Sequence, residues 1–153
     1  MANTYTQLYT HIVFTVNQSR VPSEHRIELE KYITGVVRNK GQKILAIYIM
    51  PDHVHILLSQ NPTVPLSDTV RDIKTSATKF IKEKGWVKGK FHWQEGFGAF
   101  SYGHSQIDTV VRYILDQENH HKKKSFREEY LKMLNKFEVN YDEKYIFDEP
   151  AEK

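Results

Sequence analysis

The sequence predicts an α+β fold: a ferredoxin-like or RRM-like antiparallel sheet with helices on one face, extended by C-terminal helices. Three observations predict it. Stretches rich in Tyr, Thr, Val and Ile alternate with two longer stretches of helical periodicity, in the order β-α-β-β-α-β. Pro51-Asp52 separates two apolar runs and marks a hairpin. Two more helical patterns then close the chain.

Residues 5–16, YTQLYTHIVFTV, read as the first strand. Pro22-Ser23 opens the first helix with Ser23 as N-cap; Leu29, Tyr32, Ile33, Val36 and Val37 form its apolar face, and Gly41 stops it. KILAIYIM and HVHILLS are the two arms of the hairpin. Ser67 caps the second helix, whose face is Val70, Ile73, Ala77, Phe80 and Ile81, ending at Gly85. KFHW and GAFSY are short strand pieces. Ser105 and Asp108 open a third helix to about His121, with Ile107, Val110, Val111, Ile114 and Leu115 as its stripe. Ser125-x-x-Glu128 is a capping box for a fourth helix, with Tyr130, Leu131, Leu134 and Phe137 inward. The aromatic residues of the tail EVNYDEKYIFDEP read as a segment that docks on a partner surface.

The chain has 153 residues and reads as one domain, 1–153, with a short acidic tail from about 138. It has no cysteine, which excludes disulfides, thiolate zinc sites and cysteine nucleophiles. No apolar run approaches the roughly 18 residues of a membrane span. The N-terminus has no basic and apolar leader, so a cytoplasmic protein without a membrane partner is expected. Residues 1–137 carry 20 Lys+Arg against 13 Asp+Glu, whereas 138–153 carry 2 against 6. A basic body suggests a polyanionic partner; a merely solvated surface is the plain alternative.

His53 and His55 lie two apart on one strand, so they share a face with Leu57, while Val54, Ile56 and Leu58 face the core beneath the helices. Two imidazoles on one face can converge on a cation, or can stand half-exposed without a ligand. A third ligand decides between these. On the third helix Tyr113 and Gln117 are one turn apart and off the apolar stripe, with Gln106 and His120 near the same line. Tyr113 alone reads equally as padding at the edge of the core. With the histidine strand, two imidazoles and an amide oxygen make a neutral set that suits a hard divalent cation, Mg²⁺ or Mn²⁺. A tyrosine beside that ion can attack a phosphate.

The chain resembles the single-tyrosine HUH transposases of the 200/605 group of insertion sequences. MPDHVHILL, residues 50–58, is similar to the family's His-hydrophobic-His motif, and YILDQ, residues 113–117, to its Tyr-x-x-x-Gln helix motif. The resemblance implies that His53, His55 and Gln117 hold the metal. It implies that Tyr113 is the nucleophile, cleaving single-stranded DNA through a 5′-phosphotyrosine link and releasing a 3′-OH that later rejoins strands. It also implies recognition of hairpins at element ends and a homodimer joined through sheet edges, with the tyrosine helix serving the partner's histidines. In the basic stretch NHHKKK, one of His120 and His121, His120 first, is a possible accessory to proton transfer or phosphate contact; a solvated basic patch is the plain alternative.

DNA contacts are expected from Lys79, Lys82, Lys84, Lys88 and Lys90, and from Arg112, Lys122, Lys123, Lys124 and Arg127. Tyr5, Tyr9, Phe91 and Trp93 lie on strand-like segments where bases could stack, with packing in the fold as the alternative for each. Three other readings stay open: a non-catalytic or domesticated hairpin-binding module, a replication or conjugative nickase, and a phosphohydrolase in which water attacks.

Overall fold

Strand β1 (Tyr9–Asn17) runs through the middle of a five-stranded antiparallel sheet. On one side it pairs with β3 (His53–Ser59), which pairs in turn with β2 (Lys43–Ile49). Its other side is shared by two short strands, β4 (His92–Trp93) and β5 (Gly98–Tyr102). The structure is a computed structural model and describes residues 3–146.

The expected β-α-β-β-α-β order is present, with the last strand split in two. Helices α1 (Arg26–Arg38) and α2 (Leu66–Lys84) lie on one face. Their inward residues Leu29, Ile33, Val37, Val70, Ile73, Ala77 and Ile81 pack on Ile12, Phe14, Val16, Val54, Ile56 and Leu58 of the central strands. The helix starts differ from the expectation. Pro22 leads into a 3-10 turn at Ser23–His25 before α1, and α2 begins at Leu66 behind Pro65. Both prolines hold the extended backbone of a cap position, so neither Ser23 nor Ser67 makes a cap hydrogen bond. Gly85 ends α2 as expected, in the left-handed conformation with its N–H on Ile81 and Lys82 carbonyls.

The opposite face of the sheet is not open. Helix α3 (Ile107–Leu115) covers Ala46, Tyr48 and Leu57 through Val110 and Ile114. Helix α5 (Phe126–Lys136) covers Val13 and Phe100 through Phe126, Tyr130, Met133 and Leu134. Ser125 caps α5 as expected, its Oγ accepting from the Glu128 N–H at 3.2 Å, while Glu128 takes the Ser125 hydroxyl at 3.3 Å rather than closing a full capping box. The tail folds back on its own chain: Ile146 joins the α5 cluster, while Tyr145 stays exposed. The rest of the expected docking segment, from residue 147, lies outside the described residues.

Expected helix 105–121 is interrupted. A 3-10 turn at His104–Gln106 precedes α3, and Asp116, at φ −103° and ψ 24°, separates α3 from a four-residue α4 (Gln117–His120). The Gln117 side chain donates to the Tyr113 carbonyl at 3.2 Å, one turn back across the break. Leu115, expected on the buried stripe, is 54% exposed. Tyr48, seated under the Arg26 guanidinium, donates to Glu118 at 2.8 Å and ties α4 to β2.

The seat of α5 depends on Gly98. A Cβ there would stand 2.5 Å from Tyr130 Cε1 and 2.7 Å from its hydroxyl oxygen, and that ring is buried. Gly98→Ala is therefore expected to destabilise by about 1–3 kcal/mol through overpacking. Gly35→Ala, mid-helix with nothing within 4 Å of the new Cβ, is expected to stabilise by about 0.5–1 kcal/mol. Thermal melts of the two variants should move in opposite directions.

Candidate active site

The register of the sheet places the histidines. Val13 lies opposite His55 and Thr15 opposite His53, while His11 lies opposite Leu57 and Phe100. These residues share the face under α3 and α5. The histidines are indeed on the side opposite the α1/α2 core, but the C-terminal helices bury them. His53 is 1% exposed and His55 0%.

Gln117 and Tyr113 come down onto the same point. Gln117 is 0% exposed, and its Oε1 stands 3.5 Å from His53 Nε2. Tyr113 is half-buried and donates its hydroxyl to the Glu129 carboxylate of α5. The other Glu129 oxygen stands 3.1 Å from His55 Nε2 and 3.3 Å from His121 Nε2. The structure thus brings His53, His55, Tyr113 and Gln117 of one chain together. His120 packs its ring 4.7 Å from that of Tyr113, with its side chain partly exposed.

Outer partners fix each ring. His53 Nδ1 meets Asp52 Oδ1 at 2.6 Å. His55 Nδ1 meets His11 Nε2 at 2.8 Å. His121 Nδ1 donates to the Lys124 carbonyl at 3.1 Å. With His53 neutral and its proton on Nδ1, its Nε2 lone pair faces the Gln117 carbonyl oxygen, which is also an acceptor. Two acceptors face to face in a dry site fit a cation between them, and His53, His55, His121 and Glu129 offer ligand atoms all within 4.8 Å of one another. The donor set suits a divalent metal.

Electrostatics follow from burial and from the carboxylate. Burial pushes the His55 imidazole down to about 4, against the hydrogen bond to Glu129. Burial also holds His11 well below its ordinary value, and His55 adds to this. Burial would raise the Glu129 carboxyl, but hydrogen bonds from His121 and His55 outweigh it and hold the group low. For His121 burial acts downward, and the hydrogen bond to Glu129 reverses it. Burial and the Glu129 charge both raise the Tyr113 hydroxyl.

Tyr113 opens onto two cavities. One, of about 600 Å³, is lined by Lys122, Lys123, Lys124 and Lys132 with Asn119 and His120. The other, of about 430 Å³, is lined by Tyr102, Gln106, Thr109, Lys132 and Lys136. Arg112, Lys79, Lys88 and Lys90 are exposed and outside the histidine cluster. Lys82 lines a separate groove between α2 and residues 91–97. Lys84 pairs with Glu28 at 3.4 Å. Phe91 is buried, and Trp93 packs edge-on against Phe14 and Phe91, so these two serve the core rather than a stacking surface. Tyr5 is exposed, and Tyr9 packs near His104.

A sequence model described as transposase IS200 like matches residues 4–117. The chain belongs to the IS200-like transposase family. Among curated relatives of this family, the chain is similar to the ISDra2 transposase TnpA of Deinococcus radiodurans. The two are 24% identical over 122 residues, 74% of this chain and 86% of that protein. Two solved structures share the fold. One is a crystal structure of a protein from Deinococcus radiodurans R1 assigned as a transposase, at 19% identity and a TM-score of 0.57. The match covers 76% of this chain and 95% of that one. The other is a REP-associated tyrosine transposase bound to a REP hairpin, at 17% identity and a TM-score of 0.59. That match covers all of this chain and 97% of the other. No helix among the described residues of this IS200-like chain is long and apolar enough to cross a membrane.

Sequence reasoning missed three members of the cluster, His11, Asp52 and Glu129, and gave His121 only an accessory role beside His120. Glu129 carried a signal, since it falls on the inward stripe between Phe126 and Met133, where a carboxylate needs partners.

The depressed imidazoles set a direction for stability. Unfolded histidines titrate near 6.5, so below that pH the unfolded chain holds protons that folded His11 and His55 do not. The stability they contribute is full above about 6.5 and is lost as pH falls toward 4. His121, raised, acts in the other sense, its contribution fading only above the ordinary histidine value. The melting temperature of the metal-free protein should fall between about pH 6.5 and pH 4.5, and His11→Gln should flatten that slope.

Proposed function

We propose that this IS200-like transposase is a metal-dependent single-strand DNA strand transferase with Tyr113 as nucleophile. The convergence of His53, His55, Gln117 and Tyr113 in one buried cluster carries the reading. His53, His55 and Gln117 would hold a divalent cation, Mg²⁺ or Mn²⁺. Such an ion supplies neutralisation of phosphate charge.

The chain's own groups do the rest. Tyr113 Oη attacks the scissile phosphorus, the bond from phosphorus to the 3′ oxygen breaks, and the 3′ oxygen leaves as a hydroxyl. The DNA stays joined to Tyr113 through a 5′-phosphotyrosine. Glu129 already accepts the hydroxyl's hydrogen bond and is placed to hold its proton. The free 3′-OH of another strand reverses the chemistry, so rejoining needs no nucleotide cofactor. Asp52 keeps the His53 proton on Nδ1 and leaves Nε2 for the ion.

The single strand would lie across the two cavities that meet at Tyr113, with Lys122, Lys123, Lys124 and Lys132 at phosphates. DNA hairpins as the recognised form are supported by the neighbour bound to a REP hairpin. A homodimer through sheet edges belongs to the same reading; β2 pairs with β3 alone among the described strands.

The test is a covalent-adduct assay with end-labelled single strands from the DNA flanking the gene, with Mg²⁺ or Mn²⁺ or chelator. A metal-dependent protein–DNA band is expected on a denaturing gel. Tyr113→Phe and His55→Ala should lower it by at least about 10³-fold. Cleaved DNA without adduct would favour water as nucleophile. Hairpin binding with neither product would favour a binding module.

A further inference from the structure

The family match ends at Gln117, yet the cluster does not. Two of its members, His121 and Glu129, come from the segment beyond that match. Neither residue is needed to explain a site of two imidazoles and one amide.

Their geometry is that of ligands. His121 Nε2 stands 3.0 Å from Gln117 Oε1 and 3.3 Å from Glu129 Oε1; Glu129 Oε1 stands 3.1 Å from His55 Nε2; His53 Nε2 stands 3.5 Å from Gln117 Oε1. Atoms coordinated at about 2.1 Å to one ion are separated from their neighbours by about 3.0–3.4 Å; three of these distances fall in that range and the fourth, at 3.5 Å, lies just beyond it. The outer contacts agree. His121 gives its Nδ1 proton to a backbone carbonyl and aims Nε2 inward, the arrangement in which imidazole binds metal. Glu129 is 7% exposed and has its charge inside the cluster rather than in solvent.

Resting on the metal-dependent reading above, we propose that His121 and Glu129 are metal ligands in this chain, completing a five-residue site with His53, His55 and Gln117. The site then holds three imidazoles and a carboxylate. Nitrogen donors favour transition ions over Mg²⁺, so Mn²⁺ binds this chain more tightly than Mg²⁺. Glu129 also ties the nucleophile to the ion's own shell, since its second oxygen takes the Tyr113 hydroxyl.

The experiment reads metal binding without DNA. The full chain is stripped with chelator and titrated with Mn²⁺, following free Mn²⁺ by electron paramagnetic resonance. Pulsed measurements on the bound ion count coupled imidazoles. The wild type should bind one Mn²⁺ with three imidazoles, and Mg²⁺ should displace it only in large excess. Glu129→Gln and His121→Asn should each weaken binding by about tenfold or more, and His121→Asn should leave two imidazoles. His53→Ala serves as the control within the family motif. Two imidazoles in the wild type, or wild-type affinity in both variants, overturns the proposal. If His53→Ala still loses the ion in that case, the metal-dependent reading stands without it. No Mn²⁺ binding by the wild type overturns both. Should a variant fail to fold, the imidazole count of the wild type decides alone.

Discussion

The carboxylate of Glu129 is buried among groups that depend on it. An unpaired charge in a dry site is strongly destabilising, so the apolar seat of α5 can also carry Glu129 because partners wait there. Those partners come from three elements: His55 from β3, His121 from the segment after α4, and Tyr113 from α3. One side chain therefore holds the two C-terminal helices in register with the histidine strand. Removing it would leave a buried tyrosine hydroxyl and two imidazoles without their acceptor.

That arrangement needs a sheet dry on both faces. The α1/α2 face is an ordinary apolar core. On the other face Val13, Leu57 and Phe100 are apolar, while His11, Thr15, His53 and His55 are polar and equally buried. Polar groups at such depth need fixed partners, and most have them, although His11 Nδ1 and Thr15 Oγ1 have none. The cluster is thus held in place before any ligand arrives, and its rings are fixed by Asp52, His11 and the Lys124 carbonyl.

Much of this was legible in the sequence. Period-two and helical patterns gave the strand order, the α1/α2 core and the shared face of His53 and His55, because those patterns express local geometry. The break at Asp116 was not legible, because α3 and α4 together keep nearly helical spacing. Burial of the histidine face was missed for a different reason. Which face of a sheet a distant helix covers is a tertiary fact, and the stripe of α5 names no destination. Whether Phe91 and Trp93 pack or stack could not be settled for the same reason: an aromatic residue on a strand reads alike whether it meets a base or Phe14. His121 stood in a run of basic residues, NHHKKK, whose composition suggests solvent, and only the turn after α4 brings its ring inward.

The signature stops at Gln117, short of the helix that meets the nucleophile. Residues 4–117 contain the whole family signature, yet the hydroxyl of Tyr113 is gripped from residue 129. The nucleophile is therefore held by a stretch of chain that neither motif contains, so His-x-His and Tyr-x-x-x-Gln, letter for letter, say nothing of how its hydroxyl is gripped.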